Sequence, residues 1–112
     1  MQGIKLSVYP VKEIEQAKTL YTKLLGTEPY VAAPYYVGFR IGDLEIGLDP
    51  NAHAQGITAP INYWQVDDIH ATLQGYLDAG AQVQQAVKSV GGGRLIALVK
   101  DTDSNVIGLI QL

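Results

Sequence analysis

Val11-Lys12-Glu13-Ile14-Glu15-Gln16-Ala17-Lys18-Thr19-Leu20-Tyr21 returns 55 residues downstream as Val66-Asp67-Asp68-Ile69-His70-Ala71-Thr72-Leu73-Gln74-Gly75-Tyr76, with Val on Val, acid on acid, Ile on Ile and Tyr on Tyr. Each copy follows a strand-like run, is followed by a glycine and leads into further strand-like sequence. A unit seen twice points to a small domain built from two similar supersecondary modules, not to an open-ended solenoid. A binding site is expected between the halves.

Working outward from the first copy, Ile4 to Val11 is apolar and β-branched enough for a strand covered on both faces, with Pro10 marking its end or an edge. Ile14, Ala17, Leu20, Tyr21, Leu24 and Leu25 recur at helical spacing, which predicts an amphipathic helix over Glu13 to Leu25 closed by Gly26. Strands are expected at Tyr30–Ala33, Tyr35–Ile41 and Leu44–Leu48, the last two joined by a tight Gly42-Asp43 turn. The polar run from about residue 50 to 60 reads as a linker between a first module of about 3–49 and a second of about 61–112. The second module repeats the order: strand Ile61–Val66, helix from about Asp68 to Ala79 with Asp67 or Asp68 as N-cap, then strands Gln82–Val87, Arg94–Lys100 and Val106–Gln111. The fold class is therefore α+β: two tandem βαβββ modules forming an open, curved, mixed sheet around a cavity, with the helices on the outer face.

Composition narrows the function. The chain has 112 residues, 47% of them hydrophobic, enough for one domain with a real core. Its formal net charge of −3 gives no basic footprint for nucleic acid. Cysteine is absent, which removes disulfides, thiolate metal sites and cysteine nucleophiles together. No apolar run approaches the ~20 residues of a membrane span, and the N-terminus lacks the pattern of a signal peptide. The expectation is a cytoplasmic protein without nucleic-acid or membrane partners.

Together with Val-x-(Asp/Glu)-Ile-x-x-Ala-x-x-x-Tyr in the first helix, Val99-Lys100-Asp101-Thr102-Asp103-Ser104-Asn105-Val106-Ile107-Gly108-Leu109 resembles the vicinal oxygen chelate superfamily. That group includes glyoxalase I, extradiol dioxygenases, methylmalonyl-CoA epimerase and bleomycin-resistance proteins. The resemblance implies paired modules in a U-shaped sheet, commonly in a homodimer, and in the enzymes a divalent metal held from four strands. Its metal pattern falls here on Leu6 and Ile61 in the first strand of each module and on Gly47 and Gly108 in the last. None of these side chains can bind a metal, and the chain holds only two histidines, His53 and His70. Glu45, two residues from Gly47 on the same face, supplies one carboxylate, which alone is not a site.

The expectation that follows has no catalytic residue, no metal and no cofactor. The ligand-binding candidates are Leu6, Val8, Tyr36, Arg40, Glu45, Gly47, Ile61, Tyr63, Gln65, Arg94 and Gly108, lining a greasy and roomy cavity for a small apolar or aromatic molecule. Strand glycines at Gly47 and Gly108 fit either close approach of a ligand or tight packing. Arg40 and Arg94 fit either an anionic ligand or a protein acid such as Glu45 or Asp43. Tyr21, Tyr76 and Trp64 are expected in the core. Asp101-Thr102-Asp103-Ser104-Asn105 opens like a calcium loop but has Val106 where glycine is needed, so it is read as a hairpin turn. Gly91-Gly92-Gly93 lacks the features of a phosphate loop. Two other classes stay open: a glyoxalase- or dioxygenase-type metal-dependent enzyme, and a dimeric interaction module without a ligand.

Overall fold

The computed structural model describes residues 2–112. The order is β1 (Ile4–Pro10), α1 (Ile14–Leu25), β2 (Val31–Ala33), β3 (Tyr36–Ile41), β4 (Leu44–Asp49), β5 (Ile61–Gln65), α2 (Ile69–Asp78), β6 (Gln82–Ser89), β7 (Leu95–Lys100) and β8 (Val106–Gln111). The βαβββ order thus occurs twice, and the fold is α+β with mixed strand pairing. A short 3-10 turn, His53–Gln55, interrupts the segment read as linker and follows the buried Ala52.

Two compact units divide the chain: Leu6–Pro60, and the chain as far as Lys5 together with Ile61–Leu112. In the first, the strands lie in the order β2-β3-β4-β1, with β4 parallel to β1 and antiparallel to β3. In the second, the order β5-β8-β7-β6 repeats this plan, with β5 parallel to β8. The beginning of the chain joins the second unit because the Gln2 N–H donates to the Gln65 carbonyl and the Gln65 N–H donates to the Gly3 carbonyl, each at 2.9 Å.

Helix ends follow the local chemistry. Gly26, at φ +70°, stops α1 in the left-handed conformation and donates its N–H to the Thr22 carbonyl at 3.0 Å. At the start of α2, the Asp68 carboxylate accepts from the Ala71 N–H at 3.1 Å, and Gln111 Oε1 on β8 accepts from the Ile69 N–H at 2.8 Å. Two otherwise orphaned donors are satisfied there, one from sequence-local capping and one from a strand far along the chain. Glu13 makes no side-chain cap for α1.

Strand alternation gives the strands of each unit two faces. In the first unit Val37, Phe39, Ile46 and Leu48 are buried against Ile14, Ala17, Tyr21 and Leu25 of α1. Tyr9 belongs to this side, its ring 5.7 Å from that of Tyr21. In the second unit Val66, Ile69, Ala97 and Leu109 form the core with Leu73 and Tyr76 of α2. Trp64 pairs with Leu109 and so takes the helix side of its strand. The helical periodicity overstates one face: Leu20 and Leu24 are 63% and 72% exposed. The row Ile14, Ala17, Tyr21 and Leu25 occupies the contact with the sheet, and the adjacent leucine row lies outside it.

Candidate functional site

The face of the first unit turned away from α1 is built by three strands in register. Leu6 and Val8 of β1 pair with Glu45 and Gly47 of β4, which pair in turn with Arg40 and Gly38 of β3. Tyr36 lies two residues before Gly38 on the same face. Six of the sequence-derived candidates, Leu6, Val8, Tyr36, Arg40, Glu45 and Gly47, therefore share one surface. The register also fixes the facing of the first strand, which the sequence leaves open: Tyr9 packs toward α1, so Leu6 and Val8 point the other way.

Aromatic rings occupy the space that the glycines leave. A Cβ added to Gly47 would stand 2.2 Å from Tyr36 Oη and 2.7 Å from Cε1 and Cζ of the same ring, so the ring lies directly on the glycine backbone. One on Gly38 would stand 3.0 Å from Tyr30 Cε1. The paired glycines Gly38 and Gly47 thus form a floor covered by two tyrosines. Tyr36 donates its hydroxyl proton to Glu45 Oε2 at 3.0 Å, which gives a hydrogen-bond donor to a carboxylate on a residue only 7% exposed. Arg40 does not turn to Glu45 or Asp43, the acids nearest in the strand pairing and the turn. Its guanidinium lies over the Tyr30 ring, 4.1 Å from the centroid.

In the second unit, Ile61, Tyr63 and Gln65 alternate with Trp64 and share the face turned away from α2 with Gly108, the direct partner of Tyr63. Ile61 and Tyr63 are buried, as are Leu98 and Ile110 on the same face, and Gln65 is half-buried. A Cβ on Gly108 would stand 2.6 Å from Tyr63 Cδ2 and 2.7 Å from Cγ, again placing a tyrosine on the glycine. The roomy floor expected from the missing side chains is thus corrected in both units: the room belongs to Tyr36 and Tyr63. The two coverings come from different sides, Tyr36 from the antiparallel neighbour β3 and Tyr63 from the parallel neighbour β5.

Arg94 precedes β7 instead of lying within it. Its N–H donates to the Gly91 carbonyl and its carbonyl accepts from the Val90 N–H, each at 3.1 Å, because the triple glycine needs a closing turn before the strand resumes. His70 is exposed on α2, and His53 lies in the 3-10 turn with a buried Nδ1 that has no hydrogen-bond partner among the described residues. Asp101 folds its own turn: its Oδ1 accepts from the N–H groups of Asp103 at 2.9 Å and Asn105 at 2.8 Å, and its Oδ2 accepts from Asn105 Nδ2 at 2.9 Å. These bonds hold the Asp101 carboxyl below its ordinary pKa, the Asn105 side chain contributing most.

Sequence reasoning counts Tyr30 only among the strand aromatics able to line a cavity and stack a planar ligand, and gives Gly38 no role. A glycine in the middle of a strand, directly opposite another, is the signal that could have found them, since such a pair often accommodates a nearby ring.

These features fit a known family. The sequence matches the Glyoxalase/Bleomycin resistance protein/Dioxygenase superfamily over residues 3–109, and the chain belongs to it. No curated protein matches it in sequence. Among solved structures, a superfamily member from Vibrio splendidus 12B01 is similar at 16% identity and TM-score 0.72, covering 95% of each chain. Streptomyces coelicolor methylmalonyl-CoA epimerase is similar at 12% identity and TM-score 0.74, covering 99% of this chain and 94% of that one. The Mn(II)-bound glyoxalase from Novosphingobium aromaticivorans is similar at 16% identity and TM-score 0.73, covering 98% of this chain and 38% of that one. At these identities the likeness concerns the fold.

The residues present do not fit the metal centre that the family resemblance implies. Its four positions are the aliphatic Leu6 and Ile61 and the ring-covered Gly47 and Gly108. Among the described residues no three His, Asp or Glu side chains come together in a way that could hold an ion.

Proposed function

We propose that this protein binds a small apolar or aromatic molecule without a metal, as a sequestering or resistance-type member of its superfamily. The supporting observation is the paired replacement of ligand positions by packed aromatic surface: Tyr36 on Gly47 and Tyr63 on Gly108. Within the first unit, the half-buried Tyr36 ring beside Leu6 and Val8 offers stacking and apolar contact, which suit a planar or greasy ligand. The Tyr36–Glu45 pair adds a polar point by which such a ligand can be oriented. No reaction step is assigned to any side chain.

The test has two arms on the full chain purified without chelator. Metal analysis is expected to find no stoichiometric transition metal. Thermal-shift titration with aromatic compounds is expected to raise Tm, because a ligand at about 100 times its Kd adds about 2.7 kcal/mol to the native state. A stoichiometric ion that survives dialysis and is lost when Glu45 is replaced would refute the reading in favour of a metal-dependent enzyme. Failure of every aromatic compound to shift Tm, in a stably dimeric protein, would refute it in favour of an interaction module.

A further inference from the structure

We infer that Arg40, held over the Tyr30 ring, is an anion subsite, so that the molecule bound is an aromatic or apolar carboxylate and not a neutral hydrocarbon. The inference rests on the binding reading above and names the ligand's class.

Three observations combine. Arg40 shares its sheet face with Leu6, Val8 and Tyr36, so a ligand lying on those residues has this guanidinium at one end of its surface. The stack is built from below: Gly38 has no Cβ, Tyr30 lies on the space so left, and Arg40 lies 4.1 Å above the centre of that ring. Finally, among the described residues no carboxylate reaches ion-pair distance of the guanidinium. Arg40 is paired across the strands with Glu45, yet Glu45 receives its hydrogen bond from Tyr36.

Geometry gives this arrangement its chemistry. A guanidinium centred over a ring spends its charge on the π face and no N–H donor on a protein carboxylate, so its donors can still be offered to a ligand. A carboxylate approaching edge-on can then accept two parallel hydrogen bonds, and the side chain is already held in position, so less rotamer freedom is lost on binding. Lysine at this position would keep the charge and lose the fork. Because Arg40 is exposed, the gain is of the order of one charged hydrogen bond at a solvent-accessible site.

The experiment compares naphthalene carboxylate with its neutral carboxamide by calorimetric titration of the full chain, in wild type and in Arg40→Gln, Arg40→Lys and Tyr30→Leu. The carboxylate is expected to bind about tenfold more tightly than the carboxamide. Arg40→Gln should bring the two to equal Kd by weakening only the carboxylate. Arg40→Lys and Tyr30→Leu should each give a partial loss, since one removes the fork and the other its support. Equal binding of both probes by wild type, or equal weakening of both by Arg40→Gln, would overturn the anion subsite while leaving the aromatic-binding reading standing. Binding of neither probe would overturn both.

Discussion

Gly47→Ala places one methyl group where Tyr36 now lies, at 2.2 Å from its hydroxyl oxygen and 2.7 Å from two ring carbons, all well inside van der Waals contact. The ring must swing away, and with it goes the hydrogen bond to Glu45. Overpacking of this kind costs about 1–3 kcal/mol. The same substitution has an opposite, smaller effect through the unfolded chain, since alanine in place of a strand glycine with ordinary φ stabilises by about 0.5–1 kcal/mol. The two effects separate in a double-mutant cycle measured by urea denaturation. Gly47→Ala should destabilise wild type by about 1–3 kcal/mol and stabilise a Tyr36→Ala background by about 0.5–1 kcal/mol, a coupling of about 1.5–4 kcal/mol. Tyr36→Phe is an intermediate control: it removes the nearest atom but keeps the ring carbons at 2.7 Å, so alanine at 47 should remain costly in that background. An equal cost of Gly47→Ala with and without the Tyr36 ring would refute the reasoning.

Gly108→Ala is expected to cost at least as much as Gly47→Ala in the same assay. There the clash reaches Tyr63 Cγ at 2.7 Å, and the root of a buried ring cannot swing aside as a tip can. Replacing both Leu20 and Leu24 by Gln should change stability by less than about 0.5 kcal/mol each, because both are exposed, whereas Phe39→Ala, fully buried, should cost about 3–5 kcal/mol. The Asp101 carboxyl, titrated by NMR, should show a pKa below the ordinary 3.8 and move back toward it in Asn105→Ala. Since the folded-state pKa is the lower one, its contribution to stability is present above the unfolded pKa and lost as pH falls through the folded value; the Asn105→Ala variant should show less of this acid-side dependence.

The amphipathic spacing of the repeated segment and the turn chemistry around Gly26, Gly42-Asp43 and Asp101–Asn105 made the element order legible in the sequence. These are local signals, and local hydrogen bonding produces the elements they predict. Facing was legible wherever one strand alternates clearly, as at Ile61, Tyr63 and Gln65. In β1 nearly every residue is apolar, so alternation carries no information. Only the pairing of Leu6 and Val8 with Glu45 and Gly47, and the packing of Tyr9 on Tyr21, decides which side is which.

By itself the sequence determined that two βαβββ modules form, that their last strands carry glycine where the family's metal pattern asks for a ligand, and that few imidazoles are present. What fills the space above Gly38, Gly47 and Gly108 was decided by the tertiary structure, because it depends on how far an aromatic ring reaches across to a strand that is its neighbour only after pairing. Tyr36 and Tyr63 reach their glycines from opposite kinds of neighbour, and Arg40 takes Tyr30 instead of an acid. No spacing along the chain encodes those choices, since each rests on a distance between residues brought together only by sheet register.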